Sequence, residues 1–290
     1  MKSLEGKVAV VAGATRGAGR GIACGLGEAG ATVYCTGRSV RGKPAGSRPE
    51  TIDETAEMVT ARGGLGIPVQ VDHREVDQVR ALFQRVEKEQ GRLDVLVNVL
   101  WWGWDEEPEW GKPFWKLSLD AGLRMIQRGV LAHLITSYWG VPLMVERKQG
   151  LLIEITDGDG LYYRGDVFVD LCKVSAIRLA WAMSQDLRKH NVTALALTPG
   201  YMRLEAILDH FRVTEANWRD AIRKDPSFAE SETPFHVGRA VAALAADPGV
   251  SAKSGKALAT WNLAREYGFT DVDGRQPDIR KHIEGYLATV

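Results

Sequence analysis

The sequence predicts an α/β fold, a doubly wound parallel sheet of about seven strands flanked by helices. Three observations carry this. Short apolar, β-branched runs end at glycine, helical segments of roughly 10–20 residues alternate with them, and a glycine-rich turn joins the first run to the first helix. Such alternation makes βαβ units, whose right-handed crossovers leave the strands parallel.

Residues 7–14, KVAVVAGA, read as a strand buried on both faces. GRGIACGLGEAG follows with small and apolar residues at helical spacing. Residues 31–37, ATVYCTG, form a second strand, a polar helix follows, and GIPVQVD is the third strand. Val76, Val79, Leu82, Phe83 and Val86 fall on one face of an amphipathic helix that leads to a fourth strand, LDVLVNVL. A helix over 117–148, the strand GLLIEIT, a helix over 168–190 and the strand VTALALTPG continue the rhythm. Neither an internal repeat nor a second domain interrupts it, so residues 1–290 read as a single domain. Two segments stand out, a basic Gly/Pro-rich loop at 39–50 and a polar, helix-prone insertion at about 201–232. In a doubly wound sheet both lie at the carboxyl ends of strands, where ligands bind.

Thirty-seven basic residues balance thirty-seven acidic ones, so charge gives no reason to expect nucleic acid or membrane as a partner. Cys24, Cys35 and Cys172 fit no metal spacing and read as buried thiols in a reducing compartment. The chain opens without a charged-then-apolar leader, and no stretch reaches the ~20 apolar residues of a membrane span, so a cytoplasmic location is expected. Five of nine tryptophans bunch at Trp101, Trp102, Trp104, Trp110 and Trp115, as core or as an aromatic substrate wall.

AGATRGAGRG sets Gly13, Gly17 and Gly19 between the first strand and its helix, with Thr15 and Arg16 inside the turn. Glycines there let the chain approach a diphosphate that the helix N-terminus stabilises; the alternative is a tight turn without a ligand. An NAD-selecting fold ends its second strand with an acid for the ribose hydroxyls. Here Arg38 stands at that end, with Arg41, Lys43 and Arg48 following, which favours NADP(H) unless these are solvated loop residues.

With Val71–Asp72, Asp94–Asn98, Lys173 and Pro199–Gly200 in order behind that turn, the chain resembles the short-chain dehydrogenase/reductase family over nearly its whole length. Gly150–Ile155, Phe114–Trp115 and residues 254–275 are similar to the branch typified by mammalian dehydrogenase/reductase family member 1, taken to be NADPH-dependent carbonyl reductases. The resemblance implies a Rossmann-type fold. It also implies that Asp72 and His73 meet the adenine, that Asn98, Val99 and Leu100 line its ribose, that Lys173 holds the nicotinamide ribose, and that Met202, after Pro199 and Gly200, contacts the carboxamide. Assembly through the two long helices, as a homodimer or homotetramer, is implied too.

The departures fall on the proton chemistry. The family's catalytic serine aligns with Asp157, its tyrosine with Val169, its helix asparagine with Gly129, and the threonine after Pro-Gly with Leu204. Valine neither donates nor accepts a proton, and general acid catalysis is worth roughly 10²–10⁴-fold. Asp157 is expected to pair with Lys173, or to act as an acid if an aromatic pocket keeps it protonated. Tyr162 and Tyr163 lie in the following loop, where either offers a phenol or packs; His133 reads as a helix-packing histidine. DGDG from Asp157 is no calcium loop, since Phe168 stands where the twelfth-position glutamate belongs.

Two functional readings follow. The first is an NADP(H)-dependent oxidoreductase acting on a bulky apolar or aromatic carbonyl or enone, with a non-standard proton donor. An enone takes its hydride at carbon and tolerates a relocated acid better than a simple ketone does. The second is an NADP(H)-binding protein without redox turnover, a sensor or a non-redox lyase or isomerase.

Overall fold

The structure, a computed structural model, describes residues 2–101 and 109–282. Its centre is a seven-stranded sheet in the order β3-β2-β1-β4-β5-β6-β7. The strands are β1 Val8–Ala12, β2 Thr32–Gly37, β3 Leu65–Gln70, β4 Val95–Asn98, β5 Gly150–Ile155, β6 Val192–Thr198 and β7 Ala257–Ala259. Every pairing is parallel. The helices are α1 Gly17–Glu28, α2 Ile52–Ala61, α3 Val76–Gln90, α4 Leu119–Ile126, α5 Ala132–Arg147, α6 Val167–Leu187, α7 Glu205–Phe211, α8 Pro234–Ala246 and α9 Thr260–Tyr267.

Each strand's sequence suits its place. β1, β4 and β6 are buried throughout, which is why they read as unbroken apolar runs. β3 lies at the edge and is only partly covered, so Pro68, which has no N–H to donate, is tolerated there. Ile22 and Leu26 of α1 pack with Val237 and Val241 of α8 against one face, over Val11 and Val33. Leu82, Phe83 and Val86 of α3 with Met144 of α5 cover the other, over Val10, Leu96 and Leu152. Asp94 accepts a bond from the Val8 N–H at 2.9 Å and an ion pair from Arg92 at 2.6 Å, aligning the starts of β1 and β4.

Three elements differ from the sequence reading. The helix expected over 117–148 is α4, a π-helical turn Gln127–Leu131, and α5. The wider turn falls where Gly129 meets α6: a methyl there would lie 3.0 Å from Cys172 Sγ. β7 had no strand signal of its own, because three residues are too few to show a period. The 201–232 insertion, read as polar, holds an aromatic nucleus of Phe211, Trp218 and Phe228 beneath α7 and two 3₁₀ turns.

Crossovers leave β1 and β4 in opposite directions, so a crevice opens beyond their carboxyl ends. Leu152 is fully buried in β5 between the two apolar layers. Leu152→Ala is expected to cost about 2–5 kcal/mol, read as a lowered urea midpoint at unchanged slope.

Candidate active site

A continuous cavity of about 730 Å³ fills this crevice. Its floor is the glycine turn. Gly13 has φ +96°, and a methyl built on Gly19 would sit 2.0 Å from the Gly13 carbonyl oxygen. Only glycine lets the start of α1 come so near the end of β1. The amides of the first helical turn have no intrahelical acceptor, which suits them to an anionic diphosphate. Gly13, Thr15, Arg16, Gly17 and Gly19 all line the cavity, so this end of the chain fits a dinucleotide.

At the end of β2, Arg38 lines the cavity, and among the described residues its guanidinium has no hydrogen-bond or ion-pair partner. The neighbouring arginines of the same loops are committed. Arg16 pairs with Glu50 at 3.4 Å, Arg48 with Glu50 at 2.9 Å and Asp209 at 2.8 Å, and Arg41 with Glu57 at 2.7 Å. Asp72 and His73 reach the cavity wall. Burial works to raise the Asp72 carboxyl, yet the Arg74 guanidinium holds it below its ordinary value. Burial pushes the His73 imidazole down to about 3. Its nitrogens lie 2.7 Å from Thr36 Oγ1 and 2.8 Å from Thr136 Oγ1, so His73 contributes surface rather than charge.

Val99 and Leu100 line the cavity, and Asn98 is not in its lining. Its amide donates to Glu154 Oε1 at 2.7 Å and Ser137 Oγ at 2.8 Å. Glu154 is fully buried in β5, and a buried carboxylate must find donors. Ser137 Oγ donates to it at 3.3 Å and His133 Nδ1 lies 2.5 Å from its Oε2, while His133 Nε2 lies 2.9 Å from the Leu100 carbonyl oxygen. His133 therefore does more than pack: it ties the segment after β4 to β5. The signal was a lone acid in an otherwise apolar strand.

The Asp166 carboxylate caps α6, accepting from the Phe168 and Val169 N–H groups at 2.8 and 3.1 Å. This sets the helical phase and puts Val169 and Lys173 one turn apart on the cavity wall. Val169 is 3% exposed, clustered with Met125, Cys172, Trp101 and Phe168. The place that holds the phenol in the resemblance is closed by apolar packing. Lys173 Nζ lies 3.5 Å from the Trp101 ring centroid. Burial draws its pKa down, and Asp157 opposes that from a distance. The expected Asp157–Lys173 ion pair is not formed, because the indole takes the amine and Asp157 stays exposed at the end of β5. Trp110 also lines the cavity, Trp115 is exposed outside its lining, and Trp102 and Trp104 lie outside the described residues.

The structure separates the two loop tyrosines. Tyr163 is exposed and does not line the cavity, whereas Tyr162 does. The Tyr162 hydroxyl rests on Gly158: a methyl there would come within 1.5 Å of its oxygen, and Gly158 has φ +78°. The Gly158 N–H donates to Thr198 Oγ1 at 2.7 Å, tying this turn to β6. Burial, then the Asp157 carboxylate, push the phenol up to about 12, while Arg164 acts the other way. Pro199, Gly200 and Met202 complete the wall. One group escaped the sequence reading entirely: the Glu205 carboxylate accepts the Gly17 N–H at 3.1 and 3.2 Å, on the seat suited to a diphosphate. An acid just after the Pro-Gly turn, facing an anion cradle, was the signal.

A glycine cradle at the switch point of a parallel sheet, with a lysine and a phenol at its far end, defines a nicotinamide-dinucleotide oxidoreductase scaffold. The profile of the short chain dehydrogenase family matches residues 7–212, and the chain belongs to that family. Dehydrogenase/reductase SDR family member 1 of mouse is 37% identical over 276 residues, spanning 94% of this chain and 85% of the mouse protein. The human protein of the same name is 37% identical over 275 residues, with the same coverage. A crystal structure of a short chain dehydrogenase from Mycobacterium thermoresistibile superposes with a TM-score of 0.78 at 22% identity, covering 94% of this chain and 92% of that one. A short-chain type dehydrogenase/reductase from Mycobacterium marinum gives 0.69 at 21%, covering 88% and 94%. Members of the family use NAD or NADP.

Because the Glu205 carboxylate occupies the Gly17 amide that a diphosphate on the glycine turn would use, Glu205→Ala is expected to tighten nucleotide binding. A hydrogen bond to a charged group is worth about 1.5–3 kcal/mol, so roughly a tenfold lower Kd is expected in a tryptophan-fluorescence titration.

Proposed function

We propose that this chain is a single-domain, NADP(H)-dependent oxidoreductase acting on a bulky apolar or aromatic carbonyl or enone, with Tyr162 as its proton donor. The observation that carries the reading is the seat of the Tyr162 hydroxyl, on Gly158 at the end of β5, in the same cavity as Lys173 and the glycine turn. NADP(H) supplies the hydride when bound. Gly13, Gly17 and Gly19 would receive its diphosphate, Arg38 its 2′-phosphate, and Lys173 its nicotinamide ribose. Trp101, Trp110 and Leu100 give the substrate end its apolar, aromatic character. Substrate oxygen takes its proton from Tyr162 Oη, and the exposed Asp157 borders the same space.

A second reading, nucleotide binding without redox turnover, is favoured by the closed cluster around Val169. Self-association is proposed through the outer faces of α4, α5 and α6, where Leu123, Leu134, Tyr138 and Trp181 are exposed. No helix among the described residues is long and apolar enough to cross a membrane.

NADPH oxidation against a panel of ketones and enones tests the two readings. Tyr162→Phe is expected to lower kcat by roughly 10²–10⁴-fold, with Tyr163→Phe within about twofold of the parent; turnover that survives Tyr162→Phe overturns the assignment, and no turnover with any substrate supports the second reading. Arg38→Ala is expected to weaken NADPH binding by roughly 10–100-fold and leave NADH binding nearly unchanged, since one charged hydrogen-bonding group is worth about 1.5–3 kcal/mol.

A further inference from the structure

We propose that Arg164 is a positioning residue for Tyr162: it clips the 157–164 loop around the phenol and stabilises the charge left on its oxygen when the proton departs. This rests on the reading of Tyr162 as proton donor.

Arginine is seldom fully buried unless its donors are matched, yet the Arg164 side chain is 4% exposed. Its partners show what it is for. Nε donates to the Asp157 carbonyl at 2.5 Å, Nη2 to the Gly160 carbonyl at 2.9 Å, and Nη1 to the Tyr162 carbonyl at 2.9 Å. Nη1 also donates to Asp170 Oδ1 at 2.9 Å. Three of these four bonds therefore go to main-chain carbonyls of one short loop, and the fourth anchors that loop to α6 beside Val169. A guanidinium has five donors in a fixed plane, so this set fixes its orientation as well as its place. Its Cζ lies 4.6 Å from the Tyr162 ring centroid, and the phenol oxygen rests on Gly158.

The charges facing the Tyr162 oxygen are Asp157 and Asp159, which disfavour a phenolate, and Arg164, which favours it. In a reduction the carbonyl carbon gains the hydride from NADPH and the oxygen gains the Tyr162 proton. The C=O double bond becomes one C–H and one O–H bond, NADP⁺ is released, and water returns a proton to the phenolate. Of the three charges only Arg164 opposes the repulsion that this step meets.

The test is a double-mutant cycle on kcat. Arg164→Met is expected to lower kcat by about 100-fold, the scale of a misplaced reacting group, with KM and NADPH affinity within about threefold of the parent. Methylguanidinium added to that variant should restore at least about tenfold of the loss, and Arg164→Lys should retain intermediate turnover. In a Tyr162→Phe background, Arg164→Met or Arg164→Lys should lower kcat no further. Independent, multiplying losses would overturn the proposal, as would Arg164→Lys or Arg164→Met with parental kcat. If the methionine variant loses its circular-dichroism signature, the lysine variant alone completes the cycle with the same two outcomes. The underlying reading fails separately, when Tyr162→Phe by itself leaves kcat unchanged.

Discussion

A missing methyl group holds this cleft open. With any side chain at residue 19, the start of α1 would collide with the Gly13 carbonyl 2.0 Å away, and the helix would back off from β1. The contact aims the unpaired amides of α1 at the point where the strand order reverses, and the rest of the site is placed relative to them. β2 delivers Arg38 to one side, and β5 and α6 bring Gly158, Val169 and Lys173 to the other. A parallel sheet makes this economical, because every strand ends at the same edge and one backbone approach organises groups drawn from distant parts of the chain.

On the proposed reading, the second half of the cleft is a rearrangement rather than a loss. An apolar cluster around Val169 fills the position that holds a phenol in the resemblance, and Trp101 lies against the amine of Lys173. Tyr162 brings a phenol to the same cavity from the loop after β5, beside two unusual neighbours. Gly158 provides the space and Arg164 the clip. Behind the wall, Glu154 holds His133 and Asn98 in a buried set of charge-assisted bonds, which locks the segment leading to Trp101. Such sets are costly when half satisfied, so the wall is expected to behave as one unit.

Much of the architecture was legible because buried parallel strands and amphipathic helices leave strong periodic marks, as in VAVVA and in the Val79, Leu82, Phe83 and Val86 stripe. The glycine turn was legible for a sharper reason, since close backbone approach leaves no other residue type. β7 and the π turn were not, being set by packing partners far away in sequence. At the site, one-dimensional reading set Val169 where the resemblance has a tyrosine but could not choose between Tyr162 and Tyr163, which are adjacent in the chain and differ only in what they face. It set Asn98 at the ribose, where the structure bonds it to Glu154, and paired Asp157 with Lys173, whose amine lies instead on the indole of Trp101, a residue distant in sequence. Arg164 looked like an ordinary loop cation until its carbonyl partners were in place.

α7 carries two acids one turn apart, Glu205 on the Gly17 amide and Asp209 on Arg48, so this short helix is fastened across the mouth of the nucleotide groove at two points. The same helix belongs to the 201–232 insertion, and its Ala206 and Ile207 line the cavity. Linkage then imposes a reciprocity: a molecule that lifts α7 eases entry of the nucleotide, and the nucleotide favours that molecule by an equal factor. Order of loading would be inscribed in a helix that takes no part in the chemistry.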